Sequence, residues 1–174
     1  MNVKEAIKKR KSIRNYQDKE VPKEIISELI NAGRLSQSGN NAQPWRYKII
    51  TDKKIINKLK ENNIFKQEFV YTAPVIIVCC SDPTQYPQAK FKKGFDDSYE
   101  IRAIRDLAFS VQNIALMATE LGIGTCTVGW MNKDKIKDVL NLPEKYIVPY
   151  VLTLGYPAND FPATKKKKNE EILI

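Results

Sequence analysis

The sequence contains no histidine among its 174 residues. Without an imidazole the chain cannot build Ser-His-Asp or Cys-His nucleophilic sites, cannot use histidine as a general base, and cannot bind zinc or haem through histidine. Any chemistry performed by this chain therefore has to come from other side chains or from a bound cofactor.

Cysteines are few and apolar runs are short. Cys79, Cys80 and Cys126 form no CxxC pair, and three thiols cannot build the disulfide framework of a secreted protein. The longest apolar run, residues 75–80, has about six residues, whereas ~20 are needed to cross a bilayer. The N-terminus lacks the apolar core of a signal peptide. We therefore expect a cytoplasmic protein with no segment that crosses a membrane.

Positive charge is in excess. The chain has 29 Lys and Arg against 20 Asp and Glu, a net charge of +9. Such a balance predicts an anionic partner, which could be a nucleic acid, an acidic membrane surface or a phosphorylated small molecule. The hydrophobic share of 43% is typical of a globular protein, and the length fits one domain over residues 1–174.

Apolar periodicity predicts alternating helices and strands. Helices are predicted over residues 3–10, 22–33, 53–59, 100–121 and 132–140. Strands are predicted over residues 45–51, 75–80, 125–130 and 147–154, with Pro149 placing the start of the last at a sheet edge or a bulge. Residues 82–99 show no clear period, which is typical of a lid or a solvated excursion. The alternation fits either an α+β or an α/β fold.

The helix over residues 100–121 is apolar on more than one side. One stripe at helical spacing runs from Ile104 to Leu121, and Phe109, Leu116 and Met117 add apolar surface elsewhere. A helix of this kind is buried on several sides, by its own domain or by a second subunit. We take it as an indication of a homodimer.

Arg10, Ser12 and Arg14 occupy alternate positions and would point to the same side of an extended chain. Two guanidinium groups and a hydroxyl on one face suit a phosphate or a polyol. An ordinary solvated basic surface is the more common meaning of such spacing. Residues 38–45 combine Ser, Gly, Asn and Gln before Pro44, which suits the edge of a pyrimidine-like ring. A plain loop between a helix and a strand explains them equally well.

The run of four lysines at residues 165–168 fits a solubilising tail or a nucleic-acid patch, although no aromatic residues for base stacking interrupt it. The Gly122-Ile123-Gly124 sequence follows a helix and precedes a strand, which is the reverse of the order in a dinucleotide-binding fingerprint. No motif for a metal, a P-loop or a nucleophile elbow is present.

Taken in order, four motifs resemble the nitroreductase family of FMN-dependent oxidoreductases. Residues 10–16 (RKSIRNY) are similar to its opening motif, and residues 41–45 (NAQPW) to its Asn-x-Gln-Pro-Trp segment. Gln112-Asn113 with residues 121–126 (LGIGTC) is similar to the central helix and the turn after it. Residues 154–157 (LGYP), with Pro162 and the lysine run, resemble the closing segment.

This resemblance implies an α+β fold with a central, mostly antiparallel sheet of four to five strands and helices on both faces. It implies an obligate homodimer with FMN at the interface. NADH or NADPH would supply a hydride, and flavin N5 would pass it to a nitroaromatic, quinone or similar acceptor by a ping-pong mechanism. No side chain is expected to be catalytic, no metal is expected, and neither a nucleic acid nor a membrane is expected as a partner.

The resemblance also implies a set of cofactor-binding residues. In the opening motif, Arg10, Ser12 and Arg14, together with Lys11, would hold the phosphate and ribityl chain. Lys165 and Lys167 would complete the phosphate site from the tail of residues 165–174, with Lys167 standing where the family usually has Arg. The other subunit would contribute Ser38, Gly39 and Asn41, and Gln43 lies in the same motif. Val128 and Gly129 would lie near N5.

Two other functions are compatible with the sequence. A flavin-binding carrier or sensor would bind FMN with little turnover, and a basic nucleic-acid-binding module would bind no flavin. Yellow colour separates the flavoproteins from the nucleic-acid binder, and bleaching by NADPH separates the enzyme from the carrier.

Overall fold

The computed structural model describes residues 1–87, 98–162 and 164–174. Its helices are α1 (Val3–Lys9), α2 (Lys23–Arg34), α3 (Lys53–Glu61), α4 (Tyr99–Glu120) and α5 (Lys133–Leu140). Its strands are β1 (Trp45–Ile50), β2 (Val75–Ser81), β3 (Gly124–Val128) and β4 (Ile147–Gly155). Each lies within a few residues of its predicted span. Residues 88–97 of the predicted excursion lie outside the described residues.

Side-chain caps explain where several helices begin. The side chains of Asn2, Asp52 and Asn132 accept hydrogen bonds from backbone N–H groups in the first turns of α1, α3 and α5. Gly33, predicted as the stop of the second helix, lies one residue inside α2 instead. A Cβ there would lie 2.9 Å from Ile114, so this glycine allows α2 to pack closely on α4.

The four described strands form one antiparallel sheet in the order β1-β2-β4-β3. The prediction of an α+β fold with an antiparallel sheet is confirmed. The α/β alternative is excluded because every neighbouring pair among the four described strands is antiparallel. β2 and β4 are interior, and β2 is buried at every position. β1 and β3 form the two edges.

Pro149 lies at a bulge and not at a sheet edge. Cys79 pairs with Tyr150 but Ser81 pairs with Ile147, so two residues of β4 oppose one of β2. The bulge removes the need for a ladder hydrogen bond from Pro149, which has no backbone N–H. One of the two predicted positions for this proline is therefore correct.

Helices cover both faces of the sheet, as predicted. On one face, α2 and α4 pack against the sheet through residues that include Leu29, Leu107 and Ile114. On the other face, α3 and α5 do so through residues that include Leu59 and Ile136. Side chains alternate between the two faces along each strand, so β2 contributes Ile77 to the first core and Ile76 to the second.

The outer side of α4 carries less apolar surface than predicted. Met117 packs against the core on the α2–α4 face, and Leu116 is half-buried. Phe109 is 40% exposed and Ile101 is 56% exposed. The neighbouring helix α1 adds Val3 and Ile7, which are 72% and 58% exposed. The unpaired apolar surface is therefore shared between α4 and α1.

Candidate functional site

The segment that carries Arg10, Ser12 and Arg14 runs beside β3. Ser12 pairs with Thr125 in a parallel bridge, and the N–H of Ile13 donates to the carbonyl of Thr125 at 2.8 Å. A Cβ at Gly124 would lie 2.7 Å from the Ile13 side chain. Glycine at that position therefore allows the segment to close on the strand.

The three predicted side chains all act on one buried thiol, that of Cys126. Burial raises the pKa of Cys126, while the charge of Arg14, a hydrogen bond with Ser12 and the charge of Arg10 act in the opposite direction. Within residues 1–87, 98–162 and 164–174, no carboxylate lies in ion-pair range of either arginine. Two guanidinium groups and a hydroxyl without a counter-ion suit an anion such as a phosphate.

The outer edge of β3 continues this surface toward Gly129. Backbone polar groups alternate sides along a strand, so Thr127 presents its N–H and carbonyl on the side where Thr125 meets Ile13. The side chain of Val128 is buried in the core, which leaves its backbone for any ligand contact. A Cβ at Gly129 would approach only the Pro149 carbonyl, at 3.7 Å. Thr125 and Gly129 are about 13 Å apart along an extended strand.

Two groups of predicted residues lie elsewhere. The Lys11 ammonium donates to the Asp160 carboxylate at 3.1 Å and to the Phe161 carbonyl. It therefore ties the opening motif to the segment after β4. Lys165 and Lys167 are exposed. Among the residues that the structure describes, no hydrogen bond or ion pair joins these two lysines to the Arg10–Arg14 segment.

The loop of residues 38–43 is ordered by its own hydrogen bonds. The Ser38 hydroxyl accepts from the N–H of Gln43 at 3.0 Å, and the Gln43 side chain donates to the Asn41 carbonyl at 3.3 Å. Arg46 donates to the Gln43 carbonyl at 3.0 Å. Asn40, Asn41 and Gln43 have left-handed φ values of 55°, 53° and 48°. The turn leaves the Asn41 and Gln43 side chains exposed.

Sequence reasoning missed a buried carboxylate that contacts this loop. Asp106 of α4 is 1% exposed and accepts hydrogen bonds from the Gly39 N–H and the Tyr86 hydroxyl, both at 2.7 Å. Burial and the neighbouring Asp106 charge raise the pKa of Tyr86. The sequence signal that could have identified Asp106 is its position next to Leu107, because an acidic residue beside the apolar stripe of a helix is a candidate for a buried carboxylate.

The two halves of the predicted site do not meet within one chain. The loop of residues 38–43 leads into β1, whereas the Arg10–Arg14 segment lies on β3. β1 and β3 are opposite edges of the sheet, three strand spacings apart, or about 14 Å. One chain therefore presents two half-sites on different edges.

A groove of about 930 Å³ lies between the start of α2 and the start of α3, and Lys19, Ile56 and Tyr71 are among its lining residues. It contains none of the predicted cofactor-binding residues. Within the described part of the chain, no three His, Cys, Asp or Glu side chains are grouped as metal ligands would be. None of the described helices has the length and apolarity needed to cross a bilayer.

Comparison with known proteins gives concordant results. The model of the nitroreductase family matches residues 7–64 and 63–156. A protein of Methanothermobacter thermautotrophicus with the provisional name NADH dehydrogenase/NAD(P)H nitroreductase is 32% identical over 170 residues, covering 95% of this chain and 82% of that protein. A Bacillus subtilis protein named FMN reductase (NADPH) is 25% identical, covering 91% and 67%. The crystal structure of a nitroreductase family protein from Clostridium difficile is 29% identical with a TM-score of 0.85, covering 100% and 98%.

Proposed function

The chain belongs to the nitroreductase family, and we propose that it is an FMN-dependent oxidoreductase that takes electrons from NADH or NADPH and reduces a small electrophilic acceptor. FMN is a phosphorylated ligand, which agrees with the net charge of +9. The names of the relatives include both a nitroreductase and an FMN reductase that uses NADPH. Nitroaromatics and quinones are the acceptor classes that we propose.

The observation that carries this proposal is the uncompensated positive charge on the β3 edge. Arg10 and Arg14 lie beside the half-buried Ser12 hydroxyl, with no carboxylate partner among the described residues. They would hold the phosphate and ribityl chain, and the edge from Thr127 to Gly129 gives the ring an open backbone surface. Lys165 and Lys167 would add charge from the tail. The residues present therefore fit FMN.

The separation of the two half-sites supports a homodimer. If a second copy brings its loop of residues 38–43 to the β3 edge of the first, each FMN lies between two chains. Two-fold symmetry then completes two identical sites. The exposed apolar residues of α1 and α4, among them Ile7 and Phe109, provide the surface that such a dimer would bury.

When bound, FMN supplies the redox chemistry, because its N5 accepts a hydride from a nicotinamide and returns it to an acceptor. The protein binds the flavin and orients the reactants, and neither task requires a histidine. Its thiols are poor participants, because burial raises the pKa of Cys80 to about 11 and that of Cys79 well above its usual value. The electron donor and the acceptor would use the same face of the flavin in turn, so we expect ping-pong kinetics.

The test uses the purified full-length chain. We expect a yellow protein with one FMN per chain, bleached under anaerobic conditions by NADH or NADPH and recoloured by a quinone or a nitroaromatic. A yellow protein that neither dinucleotide bleaches would be a carrier or a sensor. A colourless protein that fails to bind added FMN would overturn the proposal, and binding of a nucleic acid would then favour the basic-module alternative.

A further inference from the structure

We propose that Asp106 is a positioning residue that fixes the cofactor-binding loop of residues 38–43, with Tyr86 as its hydrogen-bonding partner. The inference rests on the proposed function for the role of the loop. The hydrogen bonds of Asp106 with Gly39 and Tyr86 lie within one chain and do not depend on a second subunit. Nothing in the motifs of the opening or closing segments assigns a role to either residue.

The burial of Asp106 requires an explanation. A carboxylate at 1% exposure loses its hydration and is costly unless it is paired and hydrogen-bonded. Its partners come from three elements: the Gly39 N–H at 2.7 Å, the Tyr86 hydroxyl at 2.7 Å, and the neighbouring Arg105 at 3.3 Å. Through two of these contacts α4 holds the loop and the segment that ends at Tyr86, and the Tyr99 ring of α4 also stacks on Tyr86 with ring centroids 6.1 Å apart.

Gly39 is the residue at which the loop needs an anchor. It begins the turn that contains the left-handed residues Asn40 and Asn41. Left-handed backbone has a cost for residues other than glycine, although asparagine tolerates it better than most. A strong acceptor for the Gly39 N–H compensates part of that cost. Because this N–H points inward, the loop presents its outer side, with Asn41 and Gln43, to any ligand.

The other end of the loop is fixed by a second buried aspartate. The N–H of Asp82 donates to the Pro44 carbonyl at 2.8 Å. The Asp82 carboxylate accepts from Gln85 and from Lys145, both at 2.9 Å. These bonds hold the turn of residues 83–85, which delivers Tyr86 to Asp106. The loop is thus held at both ends before any ligand arrives, which lowers the ordering cost of binding.

Ser110 provides a matched control on the same helix. It lies about one turn beyond Asp106 and is 0% exposed. Its hydroxyl donates to the Gly33 carbonyl at 2.6 Å and contacts the Tyr47 hydroxyl at 2.7 Å. Loss of this side chain breaks buried hydrogen bonds of similar kind but leaves the loop untouched.

The experiment compares Asp106→Ala, Asp106→Asn, Tyr86→Phe and Ser110→Ala in the full chain. Amide hydrogen exchange in the FMN-free protein reports the Gly39 N–H directly, and flavin fluorescence gives the Kd for FMN. We expect Asp106→Ala to speed exchange at Gly39 and to weaken FMN binding about tenfold or more. Asp106→Asn, whose side-chain oxygen can still accept from Gly39, should retain most of the Gly39 exchange protection and most of the FMN affinity. Tyr86→Phe should have a smaller effect, and Ser110→Ala should leave both near wild type.

Asp106→Ala and Ser110→Ala are each measured at the same interval below their own Tm, so that a general loss of stability affects both equally. If they then show equal FMN affinity and equal Gly39 exchange, the positioning role is overturned. If Asp106→Ala does not fold, Tyr86→Phe decides, because it removes one of the hydrogen bonds that hold the Asp106 carboxylate, and Gly39 exchange equal to that of wild type and of Ser110→Ala then contradicts the proposal. Failure of the wild-type chain to bind FMN would instead overturn the proposed function, while the exchange data would still test the anchor.

Discussion

The β3 edge and the loop of residues 38–43 use their polar groups differently. On the β3 edge, Arg10 and Arg14 have no carboxylate partner in the described part of the chain, and Gly129 leaves the backbone open. In the loop, the main hydrogen-bonding groups are already paired, within the loop or with Arg46 and Asp106. The first region is charged and open, whereas the second is held in shape without a ligand.

This difference separates two contributions to ligand binding. The β3 edge contributes charge that an anion would neutralise, so losses there should depend on charge and salt. The loop contributes geometry, so losses there should depend on how firmly its turn is held. Because the two regions lie on opposite edges of the sheet, the two contributions would reach one ligand in the proposed dimer, where each chain supplies one of them.

The largest effect is expected from disrupting the proposed dimer, because the two regions then no longer meet at one ligand. Phe109→Asp should place a charge in the proposed α1–α4 interface, where an unpaired charge is costly to bury. We expect the dimer to dissociate and FMN binding to be lost with it, as measured by sedimentation and flavin fluorescence.

The control for this variant is Ile49→Asp on β1, where the native side chain is 43% exposed compared with 40% for Phe109. It should leave the sedimentation of the protein unchanged. A wild-type chain that binds FMN as a monomer at nanomolar concentration would contradict the dimer.

Charge removal from the β3 edge should have the next largest effect. Arg14→Ala should weaken FMN binding roughly 10- to 100-fold, because loss of a charged hydrogen bond typically costs about 1.5–3 kcal/mol. The loss should shrink as salt is added. Lys166→Ala removes an exposed charge between the two lysines assigned to the phosphate and serves as the control. Equal Kd values for the two variants would remove Arg14 from the site.

Asp82→Asn should loosen the turn of residues 83–85, which carries Tyr86 to Asp106, without changing the β3 edge. Burial alone would raise the pKa of Asp82, but hydrogen bonds from Thr84, Lys145 and Gln85 outweigh it and lower the pKa. A lowered carboxyl pKa stabilises the folded state above the unfolded-state pKa of about 3.9, and that stability is lost as the pH falls through the folded-state value.

We therefore expect Asp82→Asn to lower the free energy of unfolding by about 1–3 kcal/mol at pH 7 and to reduce its acid dependence below about pH 4. Urea unfolding at a series of pH values measures both. Asp138→Asn, a change at an exposed position, is the control. Parallel pH curves for wild type and Asp82→Asn would show that Asp82 does not carry this stability.

The smallest effect is expected from the thiols. Burial raises the pKa of Cys79, Cys80 and Cys126, which keeps them protonated at neutral pH and poorly nucleophilic. A chain with all three replaced by Ala or Ser should bind FMN and oxidise NAD(P)H at rates within a small factor of wild type. If that chain accepts electrons from NAD(P)H but passes them to no acceptor, a thiol lies in the electron path. Cys126, whose pKa is influenced by Arg14, Ser12 and Arg10, would be the first candidate.

Much of the fold could be predicted from local patterns. The stripe of α4, the run of β2 and the capping residues Asp52 and Asn132 each act over a few neighbouring residues. The bulge at Pro149 was predictable because proline lacks a backbone N–H. The extent of the outer apolar face of α4 was not predictable, because only packing shows that Met117 belongs to the chain's own core.

For the site, the sequence by itself determined the residue types and their order: an alternating Arg-Ser-Arg segment, a loop rich in amides, a glycine after a strand, and no histidine. These follow from spacing and from the chemistry of each side chain. Only the tertiary structure decided that Lys11 turns to Asp160, that Asp106 holds Gly39, and that the two half-sites lie on opposite edges. The physical reason is that these contacts join residues as much as 149 positions apart along the chain, and strand order, which no local pattern encodes, places them together or apart.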